Sequence, residues 1–191
     1  MKNKTKKYVI IGAIVAVVII IVSIIGSYNS LVGLEVDLEE SYANIETQLQ
    51  RRSDLIPNLV ATVKGYAAHE EEVYTAISEA RAALASAGSV QETANASNAL
   101  DSAISRLLVV VENYPELKAN DNFKDLQYEL SGTENRLSTA RTRYNEDVKE
   151  YNTAIRRFPK NIIASVFGFE KAASFEAAEG AEQAPQVSFD D

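Results

Sequence analysis

The chain has one histidine, His69, and three glutamates follow it directly, Glu70, Glu71 and Glu72. Helical metal ligands must lie three or four residues apart to share a face, and only Glu72 stands so from His69. A di-iron bundle would need Glu-x-x-His, yet Tyr66 fills the position three before His69. The chain has no Cys, which removes disulfides, thiolate nucleophiles, zinc ribbons and iron–sulfur clusters. G-x-S-x-G, G-x-G-x-x-G and the phosphate-cradling G-x-x-x-x-G-K-S/T are all absent, so neither a nucleophile elbow nor a nucleotide loop can be built. No metal and no cofactor is expected.

A second set of polar residues is spaced for contact. If one helix runs through them, Arg51, Asp54, Asn58, Thr62, Gly65 and His69 fall together at 100° per residue, opposite Ile56, Leu59, Val60, Val63 and Ala67. Such a stripe reads as a solvent face or as a surface for a protein partner, with Gly65 permitting close backbone approach. An enzyme reading would draw its site from Arg51, Asp54, His69 and Glu70, and would require them to converge in a shielded pocket. A third set repeats at seven residues, Tyr144-Asn145 and Tyr151-Asn152. The tyrosines fall in an apolar stripe and the asparagines at its edge, where an amide can bond across a helix seam and fix its register.

Charge narrows the partners. The 191 residues carry 19 Lys+Arg and 27 Asp+Glu, a net charge of −8. Four of those cations, Lys2, Lys4, Lys6 and Lys7, precede residue 35 and none of the acids does, which leaves −12 on the remainder. Nucleic-acid binding needs clustered cations, so that role is excluded.

The elements that must position these residues follow from hydropathy. From Tyr8 to Ile25 the chain is apolar, and no charge occurs between Lys7 and Glu35. Eighteen helical residues span roughly 27 Å, close to the thickness of a bilayer core. A cleavable signal peptide would have a shorter apolar run and small residues at its end, and Ile24-Ile25-Gly26-Ser27-Tyr28 offers no such site. An uncleaved, single-pass anchor is expected over residues 8–27, after a basic flank at 1–7. Lysines before the span and Glu35, Asp37, Glu39 and Glu40 after it predict a cytoplasmic N-terminus and a bundle outside the cell membrane.

Beyond the span, Leu31, Leu34, Leu38, Tyr42, Ile45, Leu49, Arg52, Ile56, Leu59, Val63, Tyr66, Val73, Ile77 and Leu84 recur mostly at threes and fours. This predicts one helix from the membrane to about residue 85, kinked near 53–57 by Pro57, which lacks an amide donor and crowds the preceding turn. A second helix, 92–113, carries Leu100, Ile104, Leu107, Leu108 and Val111 and stops at Tyr114-Pro115. A third opens at Asn120-Asp121-Asn122, whose short side chains suit an N-cap. It carries Phe123, Leu126, Leu130, Thr133, Leu137, Ala140, Tyr144, Val148, Tyr151, Ile155 and Phe158 to Pro159. Nothing reads as a strand. The expected fold is all-α, an antiparallel up-down bundle of three long helices over 28–170 with room for a short fourth, and past Pro159 comes an apolar segment, 162–169, too short to span a membrane. That segment either plugs the bundle or docks on lipid or protein. Residues 171–191 form an acidic tail, expected to be disordered from Glu176 onward.

The same strings resemble a known family. Arg51-Arg52-Ser53-Asp54-Leu55-Ile56-Pro57-Asn58-Leu59-Val60 and Val63-Lys64-Gly65-Tyr66-Ala67-Ala68-His69-Glu70 are similar to the LemA family of bacterial membrane proteins. So are Asn113-Tyr114-Pro115-Glu116-Leu117-Lys118-Ala119-Asn120, Thr133-Glu134-Asn135-Arg136, the two Tyr-Asn pairs, Phe158-Pro159, Asn161-Ile162-Ile163-Ala164, Phe167-Gly168-Phe169 and Phe175-Glu176. The resemblance implies a single-pass anchor, a helical bundle and no established enzymatic activity, with a weak pointer to a membrane protease as partner. The acidic tail after residue 177 departs from the family pattern. Together these readings predict a membrane-anchored helical scaffold or adaptor of the cell envelope, not an enzyme, with a lipid-surface effector as the alternative.

Overall fold

A computed structural model describes residues 2–175, with backbone alone for 2–7 and 9. Its elements are α1 (Lys2–Lys64), α2 (Glu71–Ser86), α3 (Val90–Val111), α4 (Pro115–Ala119), α5 (Asp121–Ala154) and α6 (Lys160–Phe167). Among the described residues the protein is all-α. The described residues divide into two compact units, one of 2–41 with 146–172, the other of 42–145 with 173–175.

The larger unit is a bundle of four alternating helices. Lys64 of α1 lies over the Tyr74 ring of α2 and Arg81 donates to Ser53, so α1 and α2 run antiparallel. Tyr42 bonds Thr93 while Arg52 pairs with Asp101, so α3 runs with α1. Arg51 meets Glu129 and Arg136 meets Gln48, so α5 runs back against α1. Its core joins Ile56, Leu59 and Val63 to Ile77, Leu100, Ile104, Leu107, Leu117 and Phe123.

Local chemistry sets the ends. At α3 the Ser89 Oγ accepts from Glu92 N–H at 3.2 Å while the Glu92 carboxylate accepts from Gly88 N–H at 2.8 Å, a near relative of the capping box. Asn120 Oδ1 accepts from Phe123 N–H at 3.1 Å and caps α5, as its side chain predicts.

Three expectations are corrected. Helix α1 passes through Pro57 but ends at Lys64, not near 85, because residues 65–70 form a turn. Ala67 N–H bonds Val63 carbonyl at 2.9 Å, and Tyr74 of α2 donates its hydroxyl to the Ala67 carbonyl at 2.7 Å. Burial raises the Tyr74 pKa, with Glu70 and Tyr114 adding to it, so this donor keeps its proton. The expected three long helices therefore become four. Likewise α5 stops at Ala154, and Phe158, placed in its apolar stripe, is exposed.

The third correction concerns the C-terminal boundary at 171. Residues 172–175 are held to α5 by side-chain hydrogen bonds, and Phe175 is buried. The expected disordered stretch from Glu176 lies outside the described residues.

In the smaller unit, Leu31 of α1, Ala154 of α5 and Ile163 and Ala164 of α6 form a small core, joined by Leu34, Ile155 and Phe169. Among the described residues one helix, α1, is long and apolar enough to cross a membrane.

Candidate functional site

Arg51, Asp54 and Asn58 stand on successive turns of α1, all exposed. Arg51 reaches Glu129 at 3.4 Å, and Asp54 accepts from Gln50 Nε2 at 2.8 Å. Asn58 lines an open groove of about 480 Å3 with Thr62, Asn122, Asp125 and Glu129. Gly65 and His69 do not extend this stripe. They sit in the turn after Lys64, where the 100° step no longer applies, and His69 is exposed. The five residues spread along an open surface and do not converge.

What does converge lies one residue away. Arg52 sits inside the apolar stripe of α1, its side chain only 6% exposed, and pairs with Asp101 of α3 at 2.6 Å and with Glu134 of α5. Arg141 of α5 approaches Asp101 at 3.6 Å and Glu134 at 4.0 Å, and donates to the buried Ser97 Oγ at 2.6 Å. Two guanidinium groups and two carboxylates thus balance within three helices. Burial pushes the Asp101 carboxyl above its usual range, against the pull of Arg52 and Arg141 and with help from Glu134. Arg52 Nε and Arg141 Nε are buried without a hydrogen-bond partner among the described residues. Such a network is costly to break, because removing one member strands the others away from water. Its sequence signal was a lone arginine in an apolar stripe; its partners, far away in the chain, had none.

The Tyr-Asn pairs hold the C-terminal segment. In the larger unit, Asn145 Oδ1 accepts from Phe175 N–H at 2.8 Å and Nδ2 donates to Phe175 carbonyl at 3.0 Å, while Tyr144 donates to Ala173 carbonyl at 2.9 Å. The Arg141 guanidinium lies 5.1 Å over the Phe175 ring. In the smaller unit, Asn152 makes the same two bonds to Ala172, both at 2.9 Å, and Tyr151 is buried. The asparagines therefore clamp the segment 172–175, not a helix–helix seam as expected. A primary amide matches a peptide group donor to acceptor, which an aspartate could not do.

The model of the LemA family matches residues 41–189. The chain belongs to the LemA family. The chain is also similar to several curated proteins. Magnetosome protein MamQ 2 of Paramagnetospirillum magneticum is 27% identical over 190 residues, covering 86% of this chain and 70% of its own. Magnetosome protein MamQ of Magnetospirillum gryphiswaldense is 24% identical over 189 residues, covering 85% and 70%. Protein LemA of Metamycoplasma hominis is 24% identical over 157 residues, covering 81% and 71%. The LemA match takes in the Arg52 network, the open face at Arg51 and the asparagine clamps, and begins after the apolar part of α1.

Proposed function

We propose that this protein is a membrane-anchored helical scaffold, bundle outside and N-terminus cytoplasmic, that acts through protein–protein contacts and not as an enzyme. The observation that carries this reading is the open face of α1. Arg51, Asp54 and Asn58 lie exposed along it, while the charges that do converge are mutually neutralised and packed between helices. An enzyme site needs shielded, convergent groups, whereas a contact surface needs only a rigid frame. The names of two relatives support the reading in one respect: those of the MamQ proteins give a body, the magnetosome, to which they belong. A membrane protease or another envelope protein is the proposed partner class.

The test is crosslinking in intact cells followed by capture. Arg51→Ala is expected to weaken capture of the partner, since arginine is enriched among residues that dominate interfaces. His69→Ala is expected to leave it intact. A complete loss of function from His69→Ala, in protein that folds and inserts normally, would overturn the scaffold reading in favour of catalysis. Topology is tested separately: Ser89→Cys, in a chain with no other cysteine, should label with an impermeant thiol reagent in intact spheroplasts. Labelling only after lysis would reverse the orientation.

A further inference from the structure

Helix α6 lies beside α1 just past the apolar run. Lys160 Nζ donates to Ser30 Oγ at 2.7 Å, and the Phe167 and Phe169 rings pack on Tyr28 at 4.9 and 5.8 Å between centroids. The two ends of α6 therefore meet α1 within two residues, about 3 Å of rise, although α6 itself is about 12 Å long. Such a helix runs across the axis of α1, parallel to a membrane that α1 crosses. Ser30 is five residues beyond Ile25, about 7.5 Å of helix, which is the depth of the headgroup layer.

One side of α6 buries Ile163 and Ala164 against Leu31. The other leaves Ile162 52% and Val166 71% exposed, and Phe158, just before it, is 81% exposed. Arg156 and Arg157 are exposed on the loop that enters α6, and Lys160 opens it. Arg157, Lys160 and Phe158 also line a groove of about 630 Å3 with Ser27, Glu146 and Glu150. An amphipathic helix with cations beside an apolar face lies in the plane of an anionic interface.

We propose that α6 is an interfacial helix, its Ile162 and Val166 face inserted among the lipids that surround α1 and its Arg156, Arg157 and Lys160 meeting anionic headgroups. The proposal rests on the anchor reading of α1 and is tested apart from it. Single cysteines replace Val18, Ile162, Val166 or Ser131 in the full chain, each carrying an environment-sensitive fluorophore. The chain is reconstituted in nanodiscs of phosphatidylcholine, with or without phosphatidylglycerol, containing lipids with a quencher at shallow or deep positions. The Val18→Cys probe should be quenched by deep lipid; if it is not, the anchor reading fails. With that control met, the Ile162→Cys and Val166→Cys probes should be quenched by shallow lipid, more strongly with phosphatidylglycerol, while the Ser131→Cys probe is not. Replacing Arg156, Arg157 and Lys160 by Gln should lower the inserted-to-free ratio about fivefold per cation, matching the ~1 kcal/mol each contributes at an anionic surface. No quenching at 162 and 166, which would leave the face to a protein, overturns the proposal. Equal quenching in both lipids, unchanged by the glutamines, overturns it too.

Discussion

Arg51 and Arg52 are neighbours in the chain and opposite in circumstance. The first, 58% exposed, makes one long contact to Glu129 across a helix surface; the second, 6% exposed, is enclosed by Asp101 and Glu134. The same side chain stays in solvent in one place and is enclosed in the other, and only the direction in which α1 presents it decides which. A charged pair at the surface is worth a few tenths of a kcal/mol because water screens it. A buried pair is hard to break, because removing one member strands the other away from water. The open region therefore adds little to stability, whereas the closed one is bound to the fold.

The sharpest break of this contrast is Arg52→Ala. It leaves Asp101 and Glu134 facing each other without their main cation and should destabilise the full chain in detergent by about 3 kcal/mol, near the low end for a buried pair because Glu134 retains some solvent. Urea unfolding measures this, and a loss under 1 kcal/mol would mean the network relaxes toward water. Next in size, Asn145→Ala removes both bonds to the Phe175 backbone and should cost about 2 kcal/mol. Trypsin cleavage after Lys171 should then rise about thirtyfold if opening of the 173–175 segment limits it. An unchanged cleavage rate would show that Phe175 and Tyr144 hold the segment without the amide.

A smaller effect concerns pH. Since the folded carboxyl of Asp101 is raised above its unfolded value, its contribution to stability is full below the ordinary carboxylate pKa and is lost as pH rises through the folded value. Urea midpoints should fall across that window, and Asp101→Asn should flatten the slope. A slope that survives in Asp101→Asn belongs to another group. Smallest of all in stability is Arg51→Ala, which should change unfolding by no more than about 0.5 kcal/mol while weakening partner capture. If it destabilises as Arg52→Ala does, the division between the two arginines is wrong.

Part of this contrast is legible in the residues alone. Arg52 interrupts an apolar stripe, and a cation at a core position requires buried anions. Which anions is a different matter: Asp101 and Glu134 lie 49 and 82 residues away and look like any other solvated acid until α3 and α5 are packed on α1. The polar stripe ends within α1 and does not reach Gly65 or His69 in the turn that follows. Apolar spacing carries on through residues 65–70, so periodicity cannot reveal the turn, which depends on Tyr74 reaching back to the Ala67 carbonyl. The asparagines were legible as register-setting groups, yet their target, the peptide groups of Ala172 and Phe175, has no side-chain signature.

What the sequence determined by itself is local in origin: an apolar run long enough for a bilayer, helices delimited at Asn120 by capping and at Pro115 by the proline, and a periodic face to bury on each. Each of these depends on a few consecutive residues and needs no partner. Only the tertiary structure decided that the bundle has four alternating helices, that Arg52 is enclosed while Arg51 is free, and that α6 lies across α1 with half its apolar face uncovered. Those outcomes are set by which distant surfaces exclude water from one another, and burial is a property of the packed chain that no short segment carries.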